Sequence, residues 1–188
     1  MASAFSHAIV ALAMGKAFQN KELGWRELSV GALCSALPDL DVLGFYFGIQ
    51  YGDMWGHRGI THSVVFAALL AGMLVGVWYR GKPVVAMTKL FLYFFLCTAS
   101  HGVLDAMTNG GLGVAFFSPF DTTRYFFPLR PVFVSPIGVT EFFSEYGVRI
   151  LASEAIWIWL PTCLMFLVLR LAQRLWCRRA HSCEAPLL

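Results

Sequence analysis

Two stretches of the chain, Ser63 to Tyr79 (SVVFAALLAGMLVGVWY) and Ala155 to Leu169 (AIWIWLPTCLMFLVL), contain no charged residue. Apolar runs of this kind fit the interior of a bilayer, where a spanning segment must be helical and uncharged to avoid unpaired polar groups. A third run, from about Val84 to Leu104, carries Lys89, whose long aliphatic stem lets its ammonium snorkel to the interface. Ala2–Phe18 and Leu28–Leu37 are apolar but shorter than the roughly 20 residues of a full span. The expected fold is all-α, a polytopic membrane bundle of about five helices: three clear spans and two shorter N-terminal helices. Composition agrees, since 58% of residues are hydrophobic and 13% charged, against about 25% charged in soluble domains.

Lys and Arg concentrate in cytoplasmic loops, so their positions set the orientation. With the N-terminus outside, ten of the fourteen (Lys16, Lys21, Arg26, Arg80, Lys82, Lys89, Arg170, Arg174, Arg178 and Arg179) lie inside. Eight of the eleven carboxylates then lie outside, Glu154 among them. The reading is N-out and C-in, with one membrane domain over residues 1–170 and a basic cytoplasmic tail over 171–188. The first positive charge, Lys16, follows the first apolar run, which favours a retained helix over a cleaved signal peptide. Residues 110–154 are interrupted by Pro119, Pro128, Pro131 and Pro136 and hold ten aromatics, as expected of an interfacial segment on the outer face. The five cysteines include no CxxC pair, so no disulfide framework is expected. The net charge of +3 forms no stripe suited to nucleic acid, and no such partner is expected.

Four of the five histidines, His7, His57, His62 and His101, fall at helix ends that this topology places on one side, with Asp39, Asp41 and Asp105. His101 and Asp105 are four residues apart and share a helix face. Each motif alone has a plain structural reading: Asp39 or Asp41 as a cap after Pro38, Thr61 as the cap of the next helix, Asn109 as a helix end before Gly110. Together they gather ionisable groups at one end of an apolar bundle, which a shared cation explains. Mixed imidazole and carboxylate donors suit zinc, and also manganese or iron, better than calcium or copper(I). One of Asp39 and Asp41 binds the cation while its neighbour orients a ligand or takes a proton. Arg58, beside His57, is a candidate for neutralising a phosphoryl oxygen.

PDLDVLG, HRGITHS, SHGVLDAMTNGG and SPFDTTRYFFPLRPVFVSPIG, in that order, resemble the YdjM family of inner-membrane-associated metal-dependent hydrolases over about His7 to Gly138. That family is similar in ligand pattern to soluble zinc-dependent phospholipase C and single-strand nuclease enzymes. The resemblance implies His7, Asp39 or Asp41, His57, His101 and Asp105 as ligands, with His62 as ligand or acid–base group. The expected division has His7, Asp41, His57, His101 and Asp105 on the metal and His62, Asp39 and Arg58 in catalysis. The soluble enzymes carry a second HxxxD that this chain lacks.

The expected function is a membrane-bound hydrolase, zinc-dependent by default, cutting a phosphoester of a lipid or lipid-linked substrate at the outer leaflet. Its partners are membrane lipids and that substrate, and its location is the bacterial inner membrane. The alternative is a non-enzymatic scaffold or transporter in which the same ligands hold a structural metal; a haem protein ranks third. HExxH and GxSxG motifs are absent, which removes zincins and serine hydrolases.

Overall fold

The computed structural model describes residues 1–18 and 23–182, without the side chains of Val139 and 177–182. Lys21, the side chains of Arg178 and Arg179, and the end of the expected tail therefore lie outside the described residues. The chain is helical: α1 (Ala4–Ala17), α2 (Trp25–Ala36), a 3₁₀ helix (Leu37–Phe47), a 3₁₀ turn (Ile60–His62), α3 (Val64–Trp78), α4 (Val84–Ala106), α5 (Val139–Phe142), α6 (Glu145–Glu154), a π turn (Ala155–Trp159) and α7 (Leu160–Ser182).

The central element is α4, which packs on α1, α2 and α3. Its buried residues, Ala86, Leu90, Tyr93, Phe94, Cys97, Thr98, His101 and Asp105, recur at three- and four-residue steps and so occupy one broad face. The upper part of that face is apolar and joins Ala11, Leu28, Leu70 and Ala71 in the core. Tyr93 sits where three helices meet, its hydroxyl donating to the Ala11 carbonyl at 3.3 Å. Gly31 of α2 leaves room for this ring, since a Cβ there would overlap it. The buried His101 and Asp105 of α4 lie in its last two turns.

The outer faces are strongly apolar: Leu69, Met73 and Val77 of α3 and Leu164, Leu167 and Val168 of α7 are all more than half exposed. A water-facing protein does not present such continuous apolar faces, whereas lipid covers them without cost. Among the described residues, three helices are long and apolar enough to cross a membrane, Trp25–Phe47, Val84–Ala106 and Glu145–Trp176, with Ala4–Ala17 and Val64–Trp78 as shorter apolar helices.

This assigns the long helices differently from the sequence. Val64–Trp78, charge-free as it is, is one of the short ones. The second helix does not stop near Leu37: Pro38 lacks the N–H that an α-ladder needs, and the chain tightens into a 3₁₀ helix that runs to Phe47 and ends at Gly48 in the left-handed region (φ 80°). Neither Asp39 nor Asp41 caps it, and no side-chain cap is present there. The cap of α3 is Ser63, which accepts from Phe66 N at 3.0 Å, not Thr61.

A second correction concerns the segment 110–154. Over its first part it is irregular, tied down by single bridges between Val114 and Tyr125 and between Thr108 and Val132. Asn109 belongs to this tie, its Oδ1 accepting from Val134 N at 3.0 Å. The last helix, however, begins at Glu145 rather than Ala155, capped by Ser144. Glu154 is thus a helical and fully buried residue rather than a loop carboxylate. The π turn that follows has a local cause: Pro161 cannot donate to the residue four before it, and the ladder slips so that Leu160 N–H meets Ala155 O.

Candidate metal centre

Four donor atoms from three elements converge at the polar end of α4. His101 Nε2 and His62 Nε2 are 3.0 Å apart. Asp39 Oδ1 stands 3.3 Å from the first and 3.7 Å from the second. Asp105 Oδ2 stands 3.9 Å and 3.6 Å from the same two atoms. All four lie within 4.8 Å of one another. Bonds of about 2.0–2.1 Å to a tetrahedral cation put donors about 3.3 Å apart, so these separations fit a single ion.

The protonation of the two rings sharpens the point. His101 Nδ1 lies 2.6 Å from the Ser35 carbonyl, which can only accept, so Nδ1 carries the proton and Nε2 presents a lone pair. His62 Nδ1 faces the Asp41 carboxylate at 3.2 Å and Thr61 Oγ1 at 3.1 Å, and Thr61 itself donates to Asp41 at 2.7 Å. The His62 Nε2–H donates across 3.0 Å to the His101 lone pair, and a metal ion bound between the two rings would take the place of this proton. Asp39 Oδ1 is buried with no hydrogen-bond donor, and Asp105 Oδ2 is held by an ion pair with Arg58 Nε. Burial disfavours a charged His62, yet Asp105, Asp39 and Asp41 outweigh it and push its pKa up to about 10. The pocket attracts a cation, whether a proton or a metal. Two imidazoles with two carboxylates fit zinc, manganese or iron.

Asp39 and Asp41 are two residues apart on a helix of three residues per turn, so they point in different directions. Asp39 faces the convergence of donors. Asp41 faces the loop, where its Oδ1 meets His57 Nδ1 at 2.6 Å and its Oδ2 accepts from Arg58 N at 3.1 Å. His57, Asp41 and His62 form a second group of close donors, but a 2.6 Å contact is a hydrogen bond rather than the edge of a coordination shell. His57 and Asp41 are thereby held beside the four-atom cluster and not within it.

His7, from α1, stacks on His101 with ring centroids 3.8 Å apart. Its Nε2 is 3.6 Å from Asp105 Oδ1, and neither ring nitrogen has a hydrogen-bond partner. Arg58 is fully buried, and its guanidinium points inward: Nε pairs with Asp105 Oδ2 at 3.0 Å, and the two terminal nitrogens donate to Gly110 O at 2.8 Å and Thr108 Oγ1 at 2.9 Å. The side chain expected to meet a phosphoryl oxygen is engaged instead in fixing Asp105. Its backbone is left-handed (φ 63°), an unusual state for arginine that these contacts hold in place. Gly102 allows the loop to approach α4, because a Cβ there would stand 2.9 Å from the His62 carbonyl.

Glu154 is the residue that sequence reasoning missed. Its carboxylate accepts from the backbone N–H and hydroxyl of Ser3 and, at 2.8 Å, from Ser6 Oγ. Trp159 Nε1 donates to Ser6 in turn at 2.7 Å. An anion at the N-terminus of α1 suits the helix dipole and satisfies otherwise free donors. The same turn delivers Ala2 N–H to Asp105 Oδ1 at 2.7 Å, so Glu154 anchors α1 beside the histidine and aspartate cluster. The signal available in the sequence was a glutamate one residue before a charge-free span. Glu154→Ala is expected to cost about 3 kcal/mol by stripping three donors of their charged acceptor, read as a lower thermal midpoint in detergent. Glu154→Gln, which keeps one acceptor oxygen, should recover part of it.

Comparison with known proteins places these features in a family. A relative from Escherichia coli strain K12, described as inner membrane protein YbcI, is 35% identical over 168 residues, covering 88% of this chain and 95% of the relative. No solved structure matches. The model of the YdjM inner membrane protein family matches residues 1–177, which hold every donor of the buried histidine and aspartate cluster, and the chain belongs to that family.

Proposed function

We propose that this protein is a metal-dependent hydrolase of the inner membrane that cleaves a phosphoester of a lipid or lipid-linked substrate, with its N-terminus and metal centre facing outward. The observation that supports the reading is the convergence of His62 Nε2, His101 Nε2, Asp39 Oδ1 and Asp105 Oδ2 within 4.8 Å of one another. His62, His101 and Asp105, whose side chains are fully buried, are the ligands, with His7 stacked beside them. Asp39, with 14% of its side chain exposed, lies at the open side and is positioned to receive a proton from water. Asp41 and His57 orient the loop, and Arg58 holds Asp105. When bound, a divalent cation supplies Lewis acidity to a phosphoryl oxygen and makes a nearby water a better acid. Zinc is the first choice for this donor set.

The test uses the full chain in phospholipid vesicles, with the release of water-soluble phosphorylated headgroup followed by phosphorus NMR. Hydrolysis that needs zinc or manganese, stops with chelator and returns on re-addition is expected. Asp39→Asn should retain the metal and lose at least about 100-fold in rate, as expected for an acid–base group. Turnover unaffected by complete metal removal overturns the proposal. The four-donor set can also be counted as a closed tetrahedral shell, which favours a structural metal in a scaffold. Loss of metal in Asp39→Asn together with absence of hydrolysis would select that reading.

A further inference from the structure

The end of the molecule away from the metal centre holds a second feature. Helices α1 and α7 run side by side, joined at one end through Glu154 and Ser3 and at the other through Gln173, whose Nε2 donates to Ala17 O at 2.9 Å. Between them lie two adjoining grooves. The first, of about 310 Å³, follows Val10 and Met14 of α1 and Met165 and Leu169 of α7, and closes on Gln173. The second, of about 230 Å³, follows Ile9 and Leu12 and closes on Lys16. Ala13, Thr162 and Phe166 line both and form the ridge that separates them.

Several observations identify what fills such a pair. From Thr162 to Gln173 the rise along α7 is about 16 Å, close to half of the roughly 30 Å hydrocarbon core, so the first groove is one leaflet deep, while the second, from Ile9 to Lys16, runs about 10 Å along α1. They are continuous with the lipid-facing surface of α7, where Leu164, Leu167 and Val168 are exposed. Their apolar walls end among polar groups at a single end. Lys16 stands there with its ammonium 4.5 Å from the Trp25 ring, and Arg170 lies over Phe166, the shared wall, at 5.6 Å. Gln173 Oε1 is buried in the same place without a donor. Two parallel apolar slots meeting at a cationic end match the shape and charge of a two-chain anionic lipid.

The geometry points to a binding site for an anionic glycerophospholipid between α1 and α7, with one acyl chain on each side of the Ala13–Phe166 ridge and the phosphate against Lys16 and Arg170. The lipid comes from the leaflet at the basic end, opposite the metal centre. It is a bound companion of the fold rather than the substrate of the cluster, and its test does not depend on hydrolysis.

The experiment places the full chain in nanodiscs and measures, by electron paramagnetic resonance, the motionally restricted fraction of spin-labelled phosphatidylglycerol against spin-labelled phosphatidylcholine. Phosphatidylglycerol is expected to be preferred by about fivefold or more, the effect of roughly one basic residue near a headgroup. The pair of substitutions Lys16→Gln and Arg170→Gln should bring that ratio close to one while leaving bound metal unchanged. Ala13→Phe, which fills the ridge between the grooves, should reduce the restricted fraction of both lipids. Ala13→Phe adds bulk between helices, so the pair Lys16→Gln and Arg170→Gln, which adds no bulk and gives up only the contacts with Trp25 and Phe166, decides the matter alone. Equal retention of the two lipids, or a preference that survives the loss of both cations, overturns the proposal.

Discussion

His101→Ala and Asp105→Ala are each expected to empty the metal centre, taking bound zinc measured by mass spectrometry from near one per chain to background. His101 presents its Nε2 lone pair to the cluster, and Asp105 presents an oxygen 3.6 Å from His62 Nε2. Removing either leaves too few donors for a tetrahedral ion. Asp41→Asn separates orientation from ligation. Asp41 accepts from the His62 ring, from Thr61 and from the Arg58 backbone, so its loss should weaken metal binding about 10–100-fold without abolishing it. His62 also has to give up its second proton before it can bind a metal. With its pKa pushed up to about 10 by Asp105, Asp39 and Asp41 against the opposing effect of burial, metal uptake should release protons and weaken as pH falls. Equal metal content in wild type and His101→Ala would show that the cluster is a proton-bound polar network.

Arg58→Ala should produce the largest loss of stability, about 3–5 kcal/mol, because it leaves the Asp105 carboxylate without its buried cation. It also frees Thr108 and the Gly110 carbonyl from their donors. The thermal midpoint in detergent should fall by about 10 °C, and metal content should fall with it as Asp105 loses its orientation. Arg58→Lys should rescue little, since an ammonium cannot reproduce three contacts made by a planar fork. An Arg58→Ala protein with an unchanged midpoint and a raised KM would instead assign the guanidinium to the substrate.

Much of the site is legible in the amino-acid sequence. Histidine and aspartate are costly in hydrocarbon, so their clustering at one end of apolar segments carries information that the same residues in a soluble chain would not. The HxxxD spacing needs only helical periodicity, and His101 and Asp105 do meet. The division of labour between Asp39 and Asp41 is not legible there. It turns on the 3₁₀ winding after Ala36, and in α-helical winding the same two residues would point elsewhere. Arg58 also misleads, because an arginine beside a histidine has the same sequence signature whether it faces substrate or a buried carboxylate. Its contacts with Asp105, Thr108 and Gly110 span 47 to 52 positions of the chain and exist only once the loop folds onto α4.

The amino-acid sequence by itself determined that the chain is helical and lipid-facing, that its ionisable groups collect at one end, and that His101 and Asp105 share a face. All three follow from local periodicity and from the cost of charge in hydrocarbon, which act within one segment. Tertiary structure alone decided which carboxylate joins the histidine cluster, that Arg58 turns inward, and that Glu154 anchors the start of α1 from a helix more than a hundred residues away. Such pairings depend on which helix faces pack, and distant side chains meet only after the backbone has brought their elements together.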